Sequence, residues 1–176
     1  RLFNNDLFND KLLSHAEITE KWKNGVSIHT LISRVFMEKN KGGLGEKLTE
    51  PVSIWWGLLD GNIDDNQKLD GVCIDNIWQN CIYNNKASFI DSEWVWSDRI
   101  PALLLIYRSV IGFVSKDIGF LYRWKSSNRL LPQIYIIKTV ADICNIEFSL
   151  KLLVSAIKLD LKFSKASQDK SPIFFI

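Results

Sequence analysis

Two aspartates and an asparagine, Asp75, Asn80 and Asp91, stand in and just after the stretch Cys73-Ile74-Asp75-Asn76-Ile77-Trp78-Gln79-Asn80. One amide and two carboxylates gathered at one place suit phosphoryl transfer, in which a protein mainly positions groups and neutralises charge. One carboxylate takes the proton of the acceptor hydroxyl, while the amide and the second carboxylate hold magnesium against nucleotide phosphates. That chemistry requires the three groups to meet. Cys81-Ile82-Tyr83 and Ala87-Ser88-Phe89-Ile90 are short runs of β-forming residues joined by Asn84-Asn85-Lys86, and asparagine tolerates the left-handed backbone of a tight turn. The pattern predicts a β-hairpin. Its first strand starts beside the end of its second, so Asn80 falls next to Asp91, with Asp75 in the loop that feeds them. The plainer alternative is that Asp and Asn sit at hairpin ends because they favour turns.

Around the hairpin the spacing is mostly helical. Leu12, Leu13, His15, Ala16 and Ile18 fit one helix face, and Ile28, Leu31, Ile32, Val35 and Phe36 fit another, with Ser27 as its cap. Lys41-Gly42-Gly43-Leu44-Gly45 reads as the end of that second helix; it lacks the spacing of a phosphate-binding loop. Thr49 as cap and Pro51 in the first turn predict a short buried helix through Leu59, and Asp60 to Asp70 is a loop by composition. Helices are expected from Pro101 to Val114, from Pro132 to about Cys144, and from about Glu147 to Lys165 with Leu150, Leu153, Val154, Ile157 and Leu161 on the core face. The fold class is mainly α with a small β-hairpin.

At 176 residues and 47% hydrophobic content the chain can bury one sizeable core. A formal charge of +2, with lysines scattered among acids, argues against a nucleic-acid partner. Three cysteines, Cys73, Cys81 and Cys144, offer neither a disulfide framework nor zinc spacing, and the two histidines have no cysteine or second histidine at ligand spacing. A metal would rest on carboxylates and amides, which suits magnesium. No transmembrane segment is evident, so a cytoplasmic protein is expected. Lys151, Lys158, Lys162 and Lys165 along the last helix leave peripheral contact with a membrane or partner as a secondary role to docking on the core. Trp94 and Trp96 are the tryptophans placed to stack on a sugar ring, although core packing is the default for tryptophan. The start at Arg1 and the apolar end Ile173-Phe174-Phe175-Ile176 suggest a piece of a longer polypeptide.

Asp75-Asn76-Ile77-Trp78-Gln79-Asn80 has the Asp-x-x-x-x-Asn spacing of a protein-kinase-like catalytic loop, and Phe89-Ile90-Asp91-Ser92-Glu93-Trp94 resembles the metal-binding aspartate segment that follows it. The pair is most similar to kinase-like, aminoglycoside-phosphotransferase-like modules of bacterial O-antigen and cell-surface polysaccharide proteins, where they are joined to methyltransferase or glycosyltransferase domains. Glu20-Lys21-Trp22-Lys23-Asn24-Gly25-Val26-Ser27-Ile28 resembles the hinge of such modules, and Ile100-Pro101 through Arg108 their following helix. The resemblance implies a kinase-like C-terminal lobe over 20–176, with the catalytic loop and hairpin at 73–94 and helices at 100–165, after an N-terminal helical segment or a remnant of the inter-lobe region at 1–19 and with the N-lobe largely absent. It implies Asp75 as catalytic base, Asn80 and Asp91 as magnesium and nucleotide ligands, and Glu93 as a supporting group. The cofactors would be Mg2+ and ATP, the latter needing an N-lobe to bind well, and the acceptor a glycan or small molecule. The same resemblance admits a degenerate scaffold that only holds a fused methyltransferase or glycosyltransferase. Cys73-Ile74 stands where His-Arg is usual, Trp78 where these modules carry proline, and no glycine follows Asp91-Ser92.

Overall fold

The apolar periodicity produces helices in five places. A computed structural model describes residues 13–15, 24–37, 43–92, 94–121 and 132–170. Its helices are α1 (Ile28–Met37), α2 (Leu44–Trp56), α3 (Ala102–Leu121), α4 (Pro132–Ile143) and α5 (Leu150–Lys170). Short strands fill the intervals: β1 (Leu13–His15), β2 (Val26–Ser27), β3 (Lys68–Leu69), β4 (Cys81–Asn84), β5 (Lys86–Phe89), β6 (Trp94–Trp96) and β7 (Ile100–Pro101). The described part is mainly helical, as its sequence implies.

Helix α3 is the hub. Leu103, Leu104, Leu105, Ile106, Val110, Phe113 and Val114 are all buried, and a helix apolar on nearly every side belongs in the interior. It packs against α1, α4 and α5, and α2 packs against α1 and α4. Trp78 lies edge-on to both Trp55 and Phe113, with ring centroids 6.0 and 6.3 Å apart. An indole this large, fully buried, pins the loop to the helices by the area it covers.

The hairpin forms as expected. Cys81 faces Phe89 and Asn84 faces Lys86 across the β4–β5 pair, and Asn85 takes the turn at φ 58°. Strand β2 adds a third strand, with Val26 opposite Tyr83 and Ser27 opposite Ile82. Gly25 precedes it because a Cβ there would lie 2.7 Å from the carbonyl oxygen of Tyr83. Ser27 caps α1 as expected, its Oγ accepting the Thr30 N–H at 3.1 Å.

Four sequence expectations change. The helix read over Leu12 to Ile18 is a strand at Leu13–His15, antiparallel to β6; three residues of alternating polarity satisfy either period, and the free edge of β6 decides between them. Helix α2 begins at Leu44, with Gly43 as its cap, so the glycine stretch opens a helix instead of closing one and Pro51 lies inside it. Thr49 is interior, its hydroxyl donating to the Gly45 carbonyl at 2.8 Å. The polar loop from Asp60 to Asp70 is interrupted by a 3-10 turn and by β3, which pairs with β7. On α5 the buried residues are Leu153, Ala156 and Phe163, while Leu150, Val154 and Leu161 are exposed. Residues 16–23, Lys41, Gly42, Glu93 and the terminal apolar stretch lie outside the described residues, as do the readings placed on them.

Candidate functional site

Two consecutive 3-10 turns, Gly71–Asp75 and Trp78–Asn80, carry the chain into β4. Asp70 caps the first, its side chain accepting the Val72 N–H at 3.0 Å. The loop between them is clamped from below by the Trp55 indole, whose Nε1 donates to the Asn76 carbonyl at 2.7 Å. From the side the Trp78 N–H donates to Ser109 Oγ of α3 at 3.3 Å. Leaving β5, the chain turns at Asp91, whose φ of 57° is in the left-handed region that few non-glycine residues occupy. That turn sends β6 back across the first 3-10 turn.

Asp75, Asn80 and Asp91 are thereby brought together. The Asn80 amide donates through Nδ2 to the carbonyl oxygen of Asp75 at 3.0 Å and reaches that of Asp91 at 3.5 Å. The Ile90 N–H closes the same corner onto the Asn80 carbonyl at 2.8 Å. Asn80 thus ties the loop to the far end of the hairpin, and its Oδ1 makes no hydrogen bond among the described residues. Asp91 is exposed. Its charge lies close enough to raise the Asp75 pKa.

Asp75 is in a different environment from the one expected of an open catalytic base. It is only 6% exposed. One carboxylate oxygen accepts the Trp94 N–H at 3.3 Å, and the other is 3.5 Å from Nη1 of Arg108, a residue of α3. Arg108 also donates to the Ile74 carbonyl, pairs through Nε with Asp160 of α5 at 3.2 Å, and lies over the Phe163 ring at 4.1 Å. Burial pushes the Asp75 carboxyl above its ordinary range, with Arg108 and the Trp94 N–H pulling the other way. Asp160 is raised and Arg108 lowered, again chiefly by desolvation. Loss of water therefore outweighs the attraction within this buried triad. Nothing in the sequence pairs Arg108 or Asp160 with Asp75; the only signal was the arginine in the helix after Pro101.

A raised carboxyl pKa fixes the sign of a pH effect. The folded protein holds the Asp75 proton more tightly than the unfolded chain, so this contribution to stability is complete below about 3.8 and is lost as pH rises through the raised value. The stability of the wild type relative to Asp75→Asn is expected to fall as pH rises from the ordinary carboxylate range toward neutrality. Urea unfolding of both proteins across that interval measures it. A difference that grows with pH would show that Arg108 holds the carboxylate charged more strongly than burial opposes it.

Magnesium fits the donors at Asn80 and Asp91. An amide oxygen without another partner and an exposed carboxylate on the same corner are hard oxygen ligands. Among the described residues no group of three or more His, Cys, Asp or Glu side chains is arranged to hold a metal ion, so the remaining ligands would be phosphate oxygens and water, which is the usual way magnesium is held. Cys73 is buried and its thiol is pushed up by desolvation, which suits packing and not nucleophilic attack. Trp96 is buried, and it and Trp94 both pack on Phe163, with centroids 6.4 and 6.5 Å away. That contact agrees with core packing as the default for tryptophan, over stacking on a sugar ring.

Among the described residues no helix is long and apolar enough to cross a membrane. No protein-family model matches the chain, and neither the curated proteins nor the solved structures searched contain a match.

Proposed function

We propose that the chain is a kinase-like C-terminal lobe of a magnesium- and ATP-dependent phosphotransferase, acting on a glycan or small-molecule hydroxyl in bacterial surface-polysaccharide assembly. The observation that carries this reading is the Asn80 amide, which holds the Asp75 and Asp91 backbones on one corner while leaving its oxygen available. Asn80 Oδ1 and the Asp91 carboxylate would hold magnesium, whose charge would offset that of the transferred phosphoryl group. Asp75 would accept the proton of the acceptor hydroxyl. Its elevated pKa suits a proton acceptor, and to act it must release one oxygen from Arg108 or the Trp94 N–H.

That requirement favours a second reading, in which the Asp75–Arg108–Asp160 triad is a structural clasp and the lobe is a scaffold for a joined methyltransferase or glycosyltransferase. Asp91→Ala separates the two. If the site transfers phosphate, the substitution is expected to weaken Mg-ATP binding at least about a hundredfold, since loss of a partner outside the coordination sphere alone costs about 10–100-fold in metal affinity. Calorimetry would be done on the chain and on any longer polypeptide its gene encodes. Equal affinity in wild type and variant, or no binding by either, selects the scaffold.

A further inference from the structure

Helix α5 buries one apolar side and leaves much of a second exposed. Leu150, Val154, Ile157 and Leu161 recur at alternating steps of four and three, the spacing of a coiled-coil seam. The fold does not use that seam as its core contact: Leu150 is 57%, Val154 50% and Leu161 65% exposed, and Ile157 is only half-buried. The helix is turned so that Leu153, Ala156 and Phe163 enter the core and Asp160 meets Arg108. Three of the four apolar residues are left facing outward, while Ile157 packs partly against the core.

The charge beside the stripe says what would cover it. Lys151, Lys158 and Lys165 recur at steps of seven along one border, with Lys162 next to them, and all four are exposed. None of them forms an ion pair among the described residues. The only acid from Leu150 to Ser167 is Asp160, which is turned inward. The stripe thus has a cationic border on one side and the protein's own packed face, at Leu153, on the other.

We propose that this face of α5 receives an amphipathic helix of a partner protein whose apolar stripe is bordered by aspartates or glutamates. Seven-residue spacing of the lysines matches the repeat of flanking charges on a helix laid alongside, which set partner choice in coiled coils. A second copy of α5 laid antiparallel would set lysine row against lysine row, and like charges there are repulsive. An anionic bilayer would take lysines anywhere on the polar face, whereas here three of them keep the seven-residue repeat that a helix laid alongside presents. The proposal is independent of the phosphotransfer reading, because it draws on no property of Asp75, Asn80 or Asp91.

The probe is a synthetic three-heptad helix with leucine and isoleucine in its seam and glutamate along both borders, compared with its lysine-bordered counterpart. Fluorescence anisotropy should show saturable binding of the glutamate peptide and little of the lysine peptide. Val154→Ser with Leu161→Ser should weaken it about tenfold or more, and Lys151→Glu with Lys158→Glu and Lys165→Glu should transfer preference to the lysine peptide. All five substitutions are at exposed positions, and unchanged circular dichroism and melting confirm that each variant is folded. Equal binding of the two peptides, absence of saturable binding, or preferential binding to phosphatidylserine vesicles over the glutamate peptide overturns the proposal.

Discussion

Replacing Arg108 by leucine is expected to destabilise the protein by about 3–5 kcal/mol, the cost of removing one partner from a buried ion pair. The guanidinium serves two carboxylates, Asp75 at 3.5 Å and Asp160 at 3.2 Å, and also the Ile74 carbonyl. Leucine can fill part of the space over Phe163 but can donate to none of them. Both carboxyls already have raised pKa values with the arginine present, so its loss must raise them further. The sign of the pH dependence follows. The deficit of Arg108→Leu should be largest near neutral pH and shrink as the solution becomes acidic and the stranded carboxyls protonate. Adding Asp75→Asn and Asp160→Asn to the leucine variant should recover most of the loss, because the unpaired charges are then gone. Chemical denaturation of the single and triple variants at about pH 5 and 7 checks both expectations. A deficit that does not change with pH would mean that packing over Phe163, and not charge, is what Arg108 supplies.

This clasp is also where sequence reasoning stops. The hairpin was legible because its turn and its strands announce themselves within ten residues, and a hairpin necessarily sets Asn80 beside Asp91. The burial of Asp75 was not legible, because it depends on an arginine more than thirty residues away and on a second aspartate in the last helix. Local pattern misled in three other places for physical reasons. At Leu13–His15 three residues fit a helix as well as a strand, and only pairing with Trp94–Trp96 distinguishes them. The glycine stretch resembled a helix end, yet a helix starts at Leu44, directly after Gly43, and carries Pro51 in its interior. On α5 Leu150, Val154 and Leu161 face outward, because the side that carries Leu153, Ala156 and Phe163 is the one buried and the one where Asp160 meets Arg108. Hydrophobic periodicity identifies that a helix forms; a buried ion pair can still decide which way it turns.

Gly71→Ala is expected to be the most damaging exchange of a single methyl group. Gly71 opens the 3-10 turn that contains Asp75, and β6 crosses directly over it. A Cβ at this position would fall on the carbonyl oxygen of Trp96 and 2.6 Å from that of Asp98. Both obstacles are backbone, so no rotamer change relieves them, and β6 must lift away. Inserting a methylene into a packed core usually costs about 1–3 kcal/mol through side-chain adjustment; displacing a paired strand should cost about 4 kcal/mol or more, a fall in melting temperature of about 8–16 °C for a chain of this length. Gly61→Ala is the control. Nothing lies within 4 Å of a Cβ there, and an exchange at an open surface position should stay within about 0.5 kcal/mol. The consequence extends to the candidate site, because β6 carries the Trp94 N–H that Asp75 accepts. A Gly71→Ala protein that remains folded should therefore free one oxygen of Asp75 and bring its carboxyl pKa closer to that of its pairing with Arg108 and burial alone, detectable as a shifted side-chain carboxyl titration by NMR. Wild-type melting together with an unshifted Asp75 titration would mean that β6 does not lie against Gly71.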